Sequence, residues 1–118
     1  MNLKLLIILL FPILCNGQSQ KQLIKYADEN ASMGDFYGAS IYYKKALCLD
    51  SSNIHLLYKY AASLRKYNNY ELAAYYYNKI VSKDKAGRIY KDAWFWFAAM
   101  QKYNGDYQAS MKSWKKVK

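Results

Sequence analysis

From Leu23 onward, apolar positions recur three and four residues apart, the spacing that gathers side chains on one face of a helix. Leu23, Tyr26, Ala27 and Asn30 share such a face and predict a helix over about 21–33. The same reading predicts helices over about 36–49, 54–66, 70–82 and 89–102, and a last one from 107 to the end. Short polar breaks separate them: Gly34-Asp35, Asp50-Ser51-Ser52-Asn53, Asn68-Asn69 and Gly105-Asp106. Residues 83–88 form a longer charged loop containing Gly87. Asn53 is the residue type that caps a helix N-terminus, and it stands directly before the third helix. There is no alternating strand pattern, and proline, which breaks helices, is absent after Pro12. The expected fold class is therefore all-α.

The pattern also repeats. Gly34, Phe36, Ala39, Tyr43 and Ala46 have counterparts 34 residues later in Asn68, Tyr70, Ala73, Tyr77 and Ile80. A further 37 residues on stand Gly105, Tyr107, Ser110, Trp114 and Val117. A period near 34 marks a helix-turn-helix unit, with a small residue where helices cross and a ring where a hole must be filled. The extra three residues fall in the 83–88 loop. Tyr26, Tyr43, Tyr60, Tyr70, Tyr77 and Tyr107 occupy hole-filling positions and are expected in the core, their hydroxyls at the rim. Tyr42, Tyr58, Tyr75, Tyr76, Tyr90 and Tyr103 lie off these marks and are candidates for contact surfaces.

These marks resemble the tetratricopeptide repeat. In that frame the units span 20–53 and 54–87, with an incomplete third over 91–118. Leu23, Tyr26, Ala27, Gly34, Phe36, Ala39, Tyr43 and Ala46 match the first unit, and Leu57, Tyr60, Ala61, Leu64, Tyr70, Ala73 and Tyr77 the second. Trp94, Phe97, Ala98, Gly105, Tyr107 and Trp114 match the third. The family's late proline is replaced by Ser51 and Lys85, and its last alanine by Ile80 and Val117. The resemblance implies a right-handed α-solenoid of about three units. The runs 21–47 and 67–80 also look like the amino-terminal repeat segment of OmpA-family outer-membrane-associated proteins of gliding bacteria, which are linked to type IX secretion. The propeller-like and peptidoglycan-binding domains that follow in those proteins have no counterpart in this sequence.

The amino terminus changes the picture. Lys4, an apolar run over 5–14 broken by Pro12, and then Cys15-Asn16-Gly17 have the anatomy of a secretory signal peptide over 1–17, leaving a repeat domain over 18–118. The run is shorter than the roughly 20 apolar residues of a spanning helix. Lipidation of Cys15 is the disfavoured alternative, because Leu14 is larger than the residue lipoprotein signals place before cysteine. The expected location is exported, periplasmic or outer-membrane-associated, with membrane contact only if Cys15 is lipidated. Cys48 is then the only thiol, which excludes an internal disulfide, and is expected as a small buried apolar residue.

The net charge is +10, or +9 once Lys4 leaves with the signal. Such a balance favours acidic partners. Most lysines are dispersed over helix faces, and only Lys112, Lys115, Lys116 and Lys118 cluster. Export speaks against nucleic acid as the partner. Chemistry is sparse. His55 is the sole histidine and has no ligand-spaced companions, so no metal is expected. No phosphate-binding glycine loop or nucleophile motif occurs. Adjacent Asp28 and Glu29 point apart on a helix and cannot act as a facing pair. The expectation is a non-enzyme without catalytic residues or cofactor.

The family resemblance implies a concave groove lined by the first helix of each unit. Its positions carry Lys21, Ile24, Asp28, Ala31 and Ser32 in the first unit, then His55, Tyr58, Ala62, Arg65 and Lys66, then Asp92, Phe95, Ala99, Lys102 and Tyr103. His55, Tyr58, Arg65, Lys66, Phe95, Lys102 and Tyr103 place rings beside cations, which suits an acidic or aromatic peptide, with Arg65 available to grip a carboxylate by two parallel bonds. The alternative is a structural or assembly element, a fragment of a larger OmpA-like envelope protein, that packs, or self-associates, through an uncapped last helix exposing Met111, Trp114 or Val117.

Overall fold

The computed structural model describes residues 18–118, which form six helices and, among those residues, no strand. They are α1 (Gln20–Ser32), α2 (Phe36–Leu49), α3 (Ile54–Lys66), α4 (Tyr70–Lys83), α5 (Ala93–Tyr103) and α6 (Tyr107–Trp114). The expected signal peptide and Cys15 lie outside the described residues. Among the described residues no helix is long and apolar enough to cross a membrane.

Local chemistry starts and stops the helices in a repeating way. The Ser19 hydroxyl accepts the Gln22 N–H at 3.1 Å, Asp35 accepts from Gly38 at 2.9 Å, and Asn69 accepts from Leu72 at 3.3 Å. Asn53 accepts from both His55 and Leu56, as its position before α3 predicts. Within each unit the first helix ends in the same hydrogen-bonded stop. Gly34, Asn68 and Gly105 take φ of +81°, +72° and +83°. Their N–H groups donate to Ala31, Arg65 and Lys102, each at 3.0 Å. The next N–H groups, of Asp35, Asn69 and Asp106, reach back to Asn30, Leu64 and Gln101, each at 2.9 Å. This left-handed stop satisfies carbonyls that the helix leaves open.

The most extensive packing joins consecutive helices, from α1 on α2 through to α5 on α6. The expected small and aromatic marks fill the core: Leu23, Ala27, Ala39, Tyr43 and Ala46 in the first unit, and Leu57, Tyr60, Ala61, Ala73, Tyr77 and Ile80 in the second. Contacts recur one unit on. Tyr26 meets Tyr42 at 5.7 Å between ring centroids, and Tyr60 meets Tyr76 at 4.6 Å. Tyr58 and Tyr77 meet edge-on at 84°, and Phe95 and Trp114 at 83°. Lys66 sits 5.0 Å over the Phe36 ring, and Tyr103 lies 4.9 Å from Tyr70 in the equivalent slot.

The structure departs from expectation in three places. The fifth helix begins at Ala93 rather than 89, because the Asp84 carboxylate accepts the N–H groups of Arg88, Ile89 and Tyr90 and holds that stretch as a loop. Tyr107 is 64% exposed although its equivalents Phe36 and Tyr70 are covered by the following unit, and α6 stops at Trp114. Cys48 is exposed, not buried. Tyr43, Ala46 and Leu47 take the inward arc of α2, and the next position turns outward.

Candidate protein-binding face

The first helices of the three units, α1, α3 and α5, present side chains that join one unit to the next. At the first junction the Asp28 carboxylate on α1 accepts from Lys59 on α3 at 2.9 Å and from the Tyr43 hydroxyl at 2.6 Å. At the second, the equivalent joint is aromatic. The Arg65 guanidinium lies 3.6 Å over the Trp96 ring, and its Nε donates to the Tyr77 hydroxyl at 3.1 Å. Beside it, Tyr58 stacks on Tyr90 at 3.9 Å and 5°. Its hydroxyl donates to Asp92 at 2.6 Å, and the Trp96 indole donates to the same oxygen at 3.2 Å. His55 Nδ1 lies 2.7 Å from the Tyr90 hydroxyl.

Burial raises the Tyr58 hydroxyl well above the ordinary tyrosine range, and the bond to and charge of Asp92 add to it. Tyr43 is raised by burial and then by Asp28. Tyr77 is raised by burial, with Arg65 opposing. Each shift moves away from neutral pH. The Tyr43 and Tyr58 hydroxyls therefore act as donors that hold carboxylates, and Tyr77 accepts from Arg65; none is a base. Among the described residues no three metal-ligating side chains gather.

The expected groove residues divide. His55, Tyr58 and Arg65 are brought together, but into an internal joint. Arg65 spends one face and its Nε on Trp96 and Tyr77, so only the far end of its guanidinium can meet a ligand. Phe95 packs between Trp96 and Trp114. Lys66 and Tyr103 occupy equivalent positions at successive junctions, and Lys102 is exposed apart from them. Trp96 was not expected on this face. Its position in the unit is held by Lys59 one unit earlier, and only the structure shows the two making the same joint, one ionic and one cation–π.

Two hollows open along this face. One of about 150 Å³ lies between the first and second units, lined by Ala31, Phe36, Tyr43, Tyr58, Lys59, Ala62, Ser63 and Lys66. The other, about 690 Å³, runs along Lys21, Ile24, Lys25, Asp28, Glu29 and Ser32. Its wall is a single helix end to end, so it is a trough and not an enclosed site. No protein-family model matches the chain, and no curated protein matches it by sequence.

Proposed function

We propose that the chain is a non-enzymatic protein-interaction scaffold of the bacterial cell envelope. On this reading it is a right-handed solenoid of about three tetratricopeptide-like units behind a signal peptide, in the periplasm or at the outer membrane. The partner is a protein or peptide taken along α1, α3 and α5. The 150 Å³ hollow carries the reading. Its lining combines the small Ala31, Ala62 and Ser63, the rings of Phe36, Tyr43 and Tyr58, and the side chains of Lys59 and Lys66. Small-molecule sites run to about 300–1,000 Å³, so this one suits a single apolar side chain. Lys59 already holds Asp28, which leaves Lys66 to meet an acidic neighbour of that anchor.

The test is selection from a random peptide library, followed by affinity measurement. Apolar-acidic peptides are expected to be recovered. Filling the hollow with Ala62→Leu and reversing the charge with Lys66→Glu should weaken them by about thirtyfold or more while the melting temperature holds. Equal binding by the double variant would mean that the partner docks elsewhere.

A second reading is assembly through α6. Tyr107 at 64%, Met111 at 65% and Trp114 at 37% exposure favour it, since Tyr43 and Tyr77, the equivalents of Trp114, are at 4% and 0%. It predicts concentration-dependent association in sedimentation, abolished by Met111→Glu. A monomer at every concentration rules it out.

A further inference from the structure

We propose that the hollow between the α4–α5 loop and the segment after α6 is an anion site that takes a phosphate-bearing group. The sequence keeps its parts more than twenty residues apart, and the fold brings them together. The hollow is about 320 Å³ and is lined by Ala86, Gly87, Lys91, Trp94, Lys116 and Lys118. Three lysine side chains therefore line one small hollow beside the Trp94 indole. The volume stands at the lower end for a small-ligand site.

The loop side of the hollow is fixed in place. The Trp94 indole N–H donates to the Lys85 carbonyl at 3.0 Å, which sets the ring against the loop. The loop itself is pinned where Asp84 holds three successive N–H groups. Among the described residues the one ion pair is Lys59 with Asp28, so Lys91, Lys116 and Lys118 have no carboxylate partner. The same two segments carry Lys85, Arg88 and Lys115 against Asp84 and Asp92, so the surroundings of the hollow add to its positive field.

Lysine ammonium groups bind phosphate as point charges through charge-assisted hydrogen bonds. A tetrahedral dianion can meet several ammonium groups at once and relieve their mutual repulsion. A single carboxylate would leave at least one of them unmatched. The phosphate can belong to a soluble molecule or to a lipid headgroup, since the recognition chemistry is the same.

The experiment titrates the ¹⁵N-labelled protein with sodium pyrophosphate at constant ionic strength and follows the Gly87 and Lys91 amides and the Trp94 indole N–H. In a second arm the protein is sedimented with vesicles of phosphatidylglycerol in phosphatidylcholine, and with phosphatidylcholine alone. Lys91→Ala with Lys116→Ala should weaken binding about tenfold or more. Lys44→Ala with Lys45→Ala, which removes the same charge from α2, should leave it unchanged. Saturable, localised shifts with pyrophosphate assign a soluble phosphate. Lysine-dependent binding to the anionic vesicles without pyrophosphate saturation assigns a headgroup. Saturation in neither arm, or equal loss in the two double variants, overturns the site.

Discussion

Asn68 stands where Gly34 and Gly105 stand in the neighbouring units, in a backbone conformation that costs an ordinary L-residue about 1–2 kcal/mol. Asparagine tolerates it better than most, and its side chain also accepts the Tyr70 hydroxyl at 2.9 Å. Asn68→Ala should cost about 1 kcal/mol in urea unfolding, whereas Asn68→Gly should be near neutral. The turn at this site was legible in the sequence, because its residue types match those of the other two turns. Asp84 was not legible. Nothing in its neighbours says that one carboxylate will gather three N–H groups. Those bonds, the one from Tyr90 first, hold its carboxyl below the usual range against the opposing effect of burial. A lowered folded value means that the stabilisation is complete above the unfolded carboxylate value of about 4 and fades as pH falls through the lower, folded value. Asp84→Ala should therefore lose about 2 kcal/mol at neutral pH, and the gap from the parent protein should close in acid. A pH-independent gap would mean that the charge plays no part.

At the scale of elements, the first four helices fell within one residue of their expected bounds, because propensity, capping and burial agree there. The fifth did not. Its apolar pattern extends back to Ile89, but backbone N–H groups taken by Asp84 are not available to start a helix, and Ile89 itself is exposed. Periodicity also found the buried rings Tyr43, Tyr60 and Tyr77 of the first two units, but not the exposure of Tyr107 in the third. It missed how units join, because a joint depends on which side chains face each other across two helices. Arg65 is the clearest case. The repeat frame offers its guanidinium to a ligand, but it ties α3 to Tyr77 on α4 and Trp96 on α5. A lysine cannot stack and donate sideways together. Arg65→Lys should cost about 1–2 kcal/mol of stability, measured by thermal unfolding. Unchanged stability would show that the stack contributes nothing.

For the molecule as a whole, charge works against compaction. The chain carries 18 basic residues against 8 acidic ones, and among the described residues only Lys59 and Asp28 pair. At low ionic strength the remaining cations repel one another, and salt shortens the reach of that repulsion from about 30 Å at 0.01 M to 8 Å at 0.15 M. The melting temperature should therefore rise between those salt concentrations. A fall would mean that the ionic joint at Asp28 outweighs the repulsion. This balance was visible in composition. The convergence of the 83–91 and 112–118 cations was not, because it depends on where α6 ends relative to the loop before α5.

The succession of helices, each packed chiefly on its chain neighbours, has a consequence for how the protein comes apart. α6 leans chiefly on α5, whereas α3 and α4 are held from both sides. Opening α6 gives up one interface and leaves the others intact, so it can fray while the middle stays closed. Amide hydrogen exchange should be slowest in α3 and α4 and fastest in α6, and a ligand or second chain covering Tyr107 and Met111 would slow exchange at that end first.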